Sequence, residues 1–416
     1  MRITTRPLLL LSTLSAAPSL AFHPNTEQQP LAQYQNSRSD TLEPVPHYDD
    51  VPSYRDSLLS LHRALVNVPS ISGTEGDAAL LLEKVLTELN YTVSLQPLPS
   101  TSTTDQPRYN VLAWPGRNAR RTLHNRTLIT SHIDVVPPYL PYALDGTPIP
   151  PSHPLNFTTL PRNTLISGRG SVDAKASVAA QITAATALLH DNTISPDDIV
   201  LLYVVGEETS GDGMKHFSRS LSTNPPPSTS PSHPTTLAQA VPRPQFHAAI
   251  FGEPTTNLLA CGHKGITTAL LTATGRAGHS GYPSLGRSAT ALLIHALEAL
   301  LAADLGSSER FGNTTVNVGV LEGGVAANVI AAEARARLAL VGGYGPVECE
   351  CEVEGFDTMV ANYGTDVPNL EGDHVSYLYG PGSILVAHGD DEGLTIQDLE
   401  DAVEGYKKLI KHAVAS

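Results

Sequence analysis

The sequence predicts an α/β fold: a mostly parallel sheet flanked by helices, with a small α+β domain inserted into it. Three observations carry this expectation. From Tyr54 onward, strand-like apolar runs alternate with amphipathic helical stretches. The run Ile199–Val205 is almost continuously apolar, as a parallel strand buried on both faces must be. Residues 262–340 then change character before the main pattern resumes near Tyr377.

Taken in order, Leu58, Leu59, Leu61, Leu65 and Val66 recur at helical spacing. A second helix is expected from Gly76 to Leu89, behind the capping-type residues Ser72 and Thr74. Tyr91–Leu95, Asn110–Trp114 and Thr127–Thr130 read as strands, and Lys175–Leu189 as a small-residue helix. His247–Phe251 and Ile384–Val386 share the buried-strand character of Ile199–Val205. Within the small domain, Gly265–Ala273 and Thr314–Leu321 read as strands around a helix at Ala289–Ala303, and Ala331–Leu340 reads as a third strand. The expected organisation is a signal peptide over 1–21 and a flexible arm over 22–50. The first part of the larger domain follows over 51–261, with a Pro- and Ser-rich surface insertion at 221–245 that cannot pack a core. A small inserted domain covers 262–345, and the second part of the larger domain covers 346–416.

The chain has 416 residues, 41% of them hydrophobic and 16% charged, so a sizeable core is expected. Its net charge of −15 repels phosphate backbones and argues against a nucleic-acid partner. Arg2 and Arg6 precede the apolar stretch Leu8–Leu14, and Ser19-Leu20-Ala21 supplies small residues at a cleavage site, the pattern of a secreted, extracellular protein. No stretch is long enough to predict a membrane span. Four sequons, at Asn90, Asn125, Asn156 and Asn313, predict glycosylated surface loops on that route. The three cysteines make no disulfide framework, and Cys261 has two candidate partners, Cys349 and Cys351.

Function is suggested by five short segments in which an acid or histidine follows an apolar run. They are Ser131-His132-Ile133-Asp134, Ser171-Val172-Asp173, Gly206-Glu207-Glu208, Gly252-Glu253-Pro254 and Val386-Ala387-His388. In a parallel sheet, ligands gather beyond the carboxyl ends of the strands, where these residues are expected. Two histidines and several carboxylates form a ligand set for two neighbouring divalent ions, and so point to metal-assisted hydrolysis. Asp134, two residues after His132, is either a ligand or the carboxylate that orients the ring. Asp173 opens a helix, where capping is an alternative role. Glu207 and Glu208 adjoin a buried strand, where like charges repel unless metal charge compensates them.

These segments resemble the metal-site motifs of the M20 metallopeptidase family, in the family's order, over roughly residues 55–416. That family includes carboxypeptidases, desuccinylases, acetylornithine deacetylase and aminoacylase-1. The resemblance implies two zinc ions per subunit: His132 and Glu253 on one, Glu208 and His388 on the other, and Asp173 bridging. It makes Glu207 the general base for a metal-activated water and Asp134 the carboxylate that orients His132. Gly275-Arg276-Ala277-Gly278-His279-Ser280 is similar to the segment whose histidine stabilises the transition state, often across a homodimer. Asn328 and the turn Gly380-Pro381-Gly382 are similar to groups that bind the substrate carboxylate. The resemblance makes 262–345 the family's small lid or dimerisation domain, but after Leu340 the family's second helix and strand look absent, either because the domain is reduced or because the sequence has lost a segment, which sets the dimer and the action of His279 across it in question. The expected activity is removal of C-terminal amino acids from peptides. Its rivals are deacylation of N-acyl amino acids on the same site and an inactive binding protein on the same scaffold.

Overall fold

Six strands form the central sheet of the computed structural model, which describes residues 2–4, 51–99, 106–221 and 246–416. The expected arm, almost all of the signal peptide and almost all of the 221–245 insertion lie outside the described residues. The chain divides into two compact units. The larger comprises Pro52–Thr267, Asp304–Val316 and Leu340–Ser416, and the smaller includes Thr268–Ala303 and Asn317–Ala339.

In the larger unit, helices α1 (Arg55–Val66) and α2 (Gly76–Glu88) precede strands β1 (Tyr91–Pro97), β2 (Tyr109–Pro115) and β3 (Thr127–His132). Helix α3 (Lys175–His190), strand β4 (Ile199–Val204), helix α4 (Asp212–Ser220) and strand β5 (Ala248–Gly252) follow. Strand β6 (Val375–Tyr379) and helix α5 (Ile396–Ala415) complete the unit's main frame. The sheet runs β6-β5-β3-β4-β2-β1. Its first four strands are parallel, and the last two join antiparallel.

Alternation along β4 shows why the sheet is buried on both sides. Ile199, Leu201 and Tyr203 belong to one apolar cluster, with residues of α1, α2, α3 and α5. Val200, Leu202 and Val204 belong to a second cluster, with Met214 and Phe217 of α4. Both faces being covered removes any polar alternation, which is why the run reads as continuously apolar.

Two local expectations differ from the fold. Ile384–Val386 is a turn, not a strand: Val386 N–H bonds to Ser383 O, Ala387 N–H bonds to Ile384 O, and Leu385 is 72% exposed. Three apolar residues between glycine-rich turns are too few to distinguish a strand from a turn. Ser72 and Thr74 do not cap α2, whose N-cap is Glu75. Ser72 Oγ instead donates to Asp134 Oδ2, and Thr74 Oγ1 to Ile71 O. A small antiparallel sheet was not foreseen. It pairs Gly393–Thr395 with Leu165–Ser167, and the latter with Ala143–Leu144.

The smaller unit holds helix Ala289–Leu301 and the portions 268–274, 317–323 and 333–339 of strands Leu259–Thr274, Thr315–Gly323 and Glu333–Glu348, which pair in the order Arg2–Thr4, Leu259–Thr274, Glu333–Glu348, Thr315–Gly323. That helix buries Ala289, Leu293 and Leu297, one face at four-residue spacing. The strand Glu333–Glu348 leads into Cys349 without the second helix common in the resembling family. Cys261 is disulfide-bonded to Cys351, leaving Cys349 free. Among the described residues no helix is long and apolar enough to cross a membrane. All four sequon asparagines are exposed.

Candidate active site

The register of the parallel strands sets the site. His132 lies opposite Val204, and Ser131 lies opposite Gly252, which pairs in turn with Tyr379. The segments leaving these strands, 133–134, 205–208, 253–255 and 380–382, therefore reach one rim of the sheet. Gly206, at φ 75°, makes the turn after Val205; a Cβ there would stand 2.6 Å from Arg108 Nη2. That arginine is itself held by Glu75, Nε to Oε2 at 2.7 Å and Nη2 to Oε1 at 2.8 Å.

Two ligand triads share one residue. His132, Asp173 and Glu253 offer donor atoms to one point, and Asp173, Glu208 and His388 to another. Asp173 directs Oδ1 at His132 Nε2 (3.0 Å) and Oδ2 towards His388 Nε2 (3.3 Å). Glu208 Oε2 lies 2.9 Å from His388 Nε2, and Glu253 Oε1 lies 3.9 Å from His132 Nε2. Glu208 Oε1 is buried without a hydrogen-bond partner.

The electrostatics fit a site meant for cations. Burial, then neighbouring carboxylates, raises Glu207 and Glu253 well above the usual carboxylate range. Burial and the charge of Asp173 push Glu208 up to about 7. Burial opposes the charge on His132, yet hydrogen bonds with Asp134 and Asp173 raise it well above the ordinary imidazole value. His388 is pushed up to about 10, chiefly by its bonds with Asp173 and Glu208. Asp173, despite burial, is lowered by both histidines. Several acids therefore gather where bare carboxylates are costly, and protons on the histidines provide the balancing positive charge.

The role of Asp134 differs in detail from the expectation. Strand β3 ends at His132, so strand alternation does not place Asp134 beside it. The His132 ring is held through Nδ1 by the main-chain oxygen of Asp134 at 3.0 Å, with the carboxylate at 3.6 Å. A carbonyl only accepts, so Nδ1 carries the proton and the Nε2 lone pair faces Asp173 and Glu253 when the ring is neutral. The Asp134 carboxylate accepts from Glu207 N–H (3.1 Å), Glu208 N–H (3.3 Å) and Ser72 Oγ (2.7 Å). It thus pins the turn that carries both glutamates.

His388 sits on a turn in the left-handed region (φ 64°) and is 53% exposed, whereas the sequence predicts a strand end. Gly380 and Gly382 are buried in the larger unit. Gly380 N–H already donates to Thr255 Oγ1, and Gly380 O accepts from Asn257 N–H. A Cβ on Gly380 would lie 2.5 Å from Glu253 O, and one on Gly382 2.7 Å from Val172. The Gly380-Pro381-Gly382 turn therefore packs between the segments bearing Glu253 and Asp173. Its first N–H is already taken by Thr255 Oγ1. His279 and Asn328 belong to the smaller unit and are brought together there. His279 pairs with Val329, and Ser280 N–H donates to Asn328 O.

The sequence leaves Glu392, in the run Asp390-Asp391-Glu392, open between a solvated acid and one that supports a ligand; it is buried and bonded to Arg169 and to the backbone of Asp173. The signal available was an arginine between two glycines, Gly168-Arg169-Gly170, a charged residue in a tight turn that calls for a partner.

Comparison with known proteins identifies the family. A protein of Sordaria macrospora named as M20 peptidase domain-containing is 47% identical, covering 100% of both chains. The chain belongs to the M20 peptidase family. A family model described as a peptidase dimerisation domain matches residues 261–341. A protein of Neosartorya fischeri named as a probable carboxypeptidase is 41% identical over 98% of each chain. The fold is also that of an M20 metallo-carboxypeptidase from Sulfolobus solfataricus, with TM-score 0.59 and 17% identity, covering 87% of this chain and 100% of that one. The dipeptidase Dug1p of Saccharomyces cerevisiae gives TM-score 0.65 at 12% identity, covering 89% and 98%. This M20 protein is a hydrolase of the peptidase class. The alignment with the Sordaria relative runs over 471 positions against 416 residues here, so that relative carries segments this chain lacks.

Proposed function

We propose that this M20 peptidase is a secreted di-zinc carboxypeptidase, removing C-terminal amino acids from peptides. The observation that carries the metal part is the split of Asp173, one oxygen to each histidine of two triads. The residues fit such ions: two imidazoles and three carboxylates are borderline-to-hard donors that suit zinc, and the orphaned Glu208 Oε1 is an acceptor with nothing to accept. His132, Glu253 and Asp173 would hold one ion, and Asp173, Glu208 and His388 the other. When bound, the two ions would supply Lewis-acid polarisation of the scissile carbonyl and acidify the attacking water.

The chain's own residues supply the rest. Glu207, adjacent to the ligand Glu208, is the candidate base, and burial and Glu253 hold its carboxylate well above the usual carboxylate range. It takes a proton from water and returns it to the leaving nitrogen. The Asp134 carboxylate holds Glu207 and Glu208 together by their N–H groups, which fixes base and ligand relative to each other. The carboxypeptidase assignment draws support from relatives so named. Secretion draws support from the Cys261–Cys351 bridge, which persists in oxidising compartments, and from four exposed sequons. A homodimer through the smaller unit draws support from the dimerisation-domain match.

The test is elemental analysis of purified protein together with a substrate panel of N-blocked dipeptides and N-acetyl amino acids. Two zinc ions per chain and turnover of the dipeptides are expected, and turnover of the acetyl compounds alone would replace the peptidase reading with an aminoacylase. Glu207→Gln should keep both ions and lose roughly 10²- to 10⁴-fold in kcat, the usual span for a positioned acid–base group. Unchanged kcat would remove Glu207 from the mechanism.

A further inference from the structure

The segment bearing Asp173 and the turn bearing His388 are 215 residues apart in sequence, and one buried ion pair ties them. Arg169 and Glu392 are each 1% exposed, with Nη1 to Oε2 at 2.7 Å. Every bond around them runs to one of those two segments or to the neighbouring backbone. Glu392 Oε1 accepts from Val172 N–H (3.0 Å) and Asp173 N–H (3.1 Å). Its main-chain oxygen accepts from Gly168 N–H and from Ser171 Oγ. Arg169 Nη1 donates to Gly389 O at 3.1 Å, Nη2 approaches His388 O at 3.5 Å, and Nε donates to Pro138 O.

We propose that Arg169 and Glu392 are positioning residues for the metal site, holding the shared Asp173 carboxylate at a fixed separation from the turn of His388. This rests on the di-metal reading above. The argument is geometric. Asp173 serves both triads, so an error in its backbone moves a ligand of each. The His388 side chain is more than half exposed, so burial does not fix its place. Arg169 reaches the carbonyls of His388 and Gly389 with the same guanidinium that grips Glu392. A buried ion pair is a poor source of net stability, since desolvation offsets attraction. Its rigid fork geometry, by contrast, is well suited to fixing two backbones against each other. Hydrogen bonds behind metal ligands typically tune metal affinity by about 10- to 100-fold.

The experiment compares the parent with Glu392→Gln and Arg169→Lys, each stripped of metal and titrated with zinc against a chromogenic chelator. Urea unfolding of the metal-free proteins runs in parallel. Glutamine keeps an oxygen for the Val172 and Asp173 N–H groups but turns a donor towards Arg169. Lysine keeps the charge but loses the fork that reaches both carbonyls. Expected are variants that unfold cooperatively without metal, bind zinc roughly 10- to 100-fold more weakly, and recover activity in excess zinc. Zinc affinities within about threefold of the parent in folded variants would overturn the proposal. So would two variants that cannot fold without metal while the parent can, because the pair would then be a general determinant of the fold. A parent that takes up fewer than two ions overturns the underlying reading first, and this one with it.

Discussion

Replacing Asp134 by asparagine separates two jobs that fall to one residue, pinning the Glu207-Glu208 turn and holding the His132 ring. Its oxygens accept N–H bonds from both Glu207 and Glu208, and Ser72 Oγ approaches at 2.7 Å. Asparagine keeps one acceptor oxygen and turns an NH₂ towards the other N–H. A hydrogen bond to a charged group is worth about 1.5–3 kcal/mol, and a buried donor left without a partner costs about 1–3 kcal/mol. If the loss falls on the placement of Glu207 at the transition state, it amounts to roughly 10- to 100-fold in kcat/KM. Zinc at the His132 triad should survive, because that ring is held by the main-chain oxygen of Asp134, which the substitution leaves in place. The assay is kcat/KM on an N-blocked dipeptide at saturating zinc, with zinc content measured on the same sample. Ser72→Ala, which removes one bond to the same carboxylate, should cost about 1.5–3 kcal/mol without the added penalty of a stranded N–H. The reasoning fails if Asp134→Asn keeps kcat/KM within threefold. It also fails if activity falls only in step with zinc loss, for the carboxylate would then act through His132.

Four further outcomes follow from the same geometry. Asp173→Asn removes a donor common to both triads, so zinc uptake should drop at both sites, and loss of one ion alone would contradict the shared arrangement. The histidines of the metal-free protein lie above their ordinary value, His388 at about 10, so incoming ions must displace protons. Zinc affinity should therefore rise from pH 6 to 8, by roughly tenfold per pH unit for each proton displaced. Calorimetry in buffers of different ionisation enthalpy should register proton release, and a pH-independent affinity would refute the assignment. By the same sign, the His388 pairing stabilises the metal-free fold fully below about pH 6.5 and is lost as pH rises through about 10. Away from the site, Glu400 accepts from Arg162 Nε and pairs with the buried Arg55, linking α1 to α5. Glu400→Ala should cost roughly 3–5 kcal/mol in urea unfolding, the penalty for stranding a buried guanidinium, with zinc uptake unchanged. A loss under 1 kcal/mol would show that water reaches Arg55.

Local pattern determined a good deal of this protein. Ile199–Val204 and Ala248–Gly252 are legible as strands because burial on both faces leaves an unbroken apolar run. Val375–Tyr379 shows only as a resumption of that pattern near Tyr377. The acids just beyond two of those strands, Glu207, Glu208 and Glu253, follow from the same reading, since strand ends in a parallel sheet converge on one rim. Whatever depends on contacts far apart in sequence was not legible. The Ile384–Val386 run gives no periodicity that separates strand from turn, so the place of His388 came only with the fold. Glu392 reads as either a solvated acid or one behind a ligand until the pairing of Gly393–Thr395 with Leu165–Ser167 carries it to Arg169. Ser72 reads as a helix cap until Asp134 arrives beside it, and nothing local chooses Cys351 over Cys349 as the partner of Cys261. The sequence by itself determined which residue types could bind ions and roughly where strands would deliver them, because side-chain chemistry and periodicity are local. The tertiary structure alone decided which oxygen meets which nitrogen, because those partners are set by hydrogen bonds between segments as much as 350 residues apart.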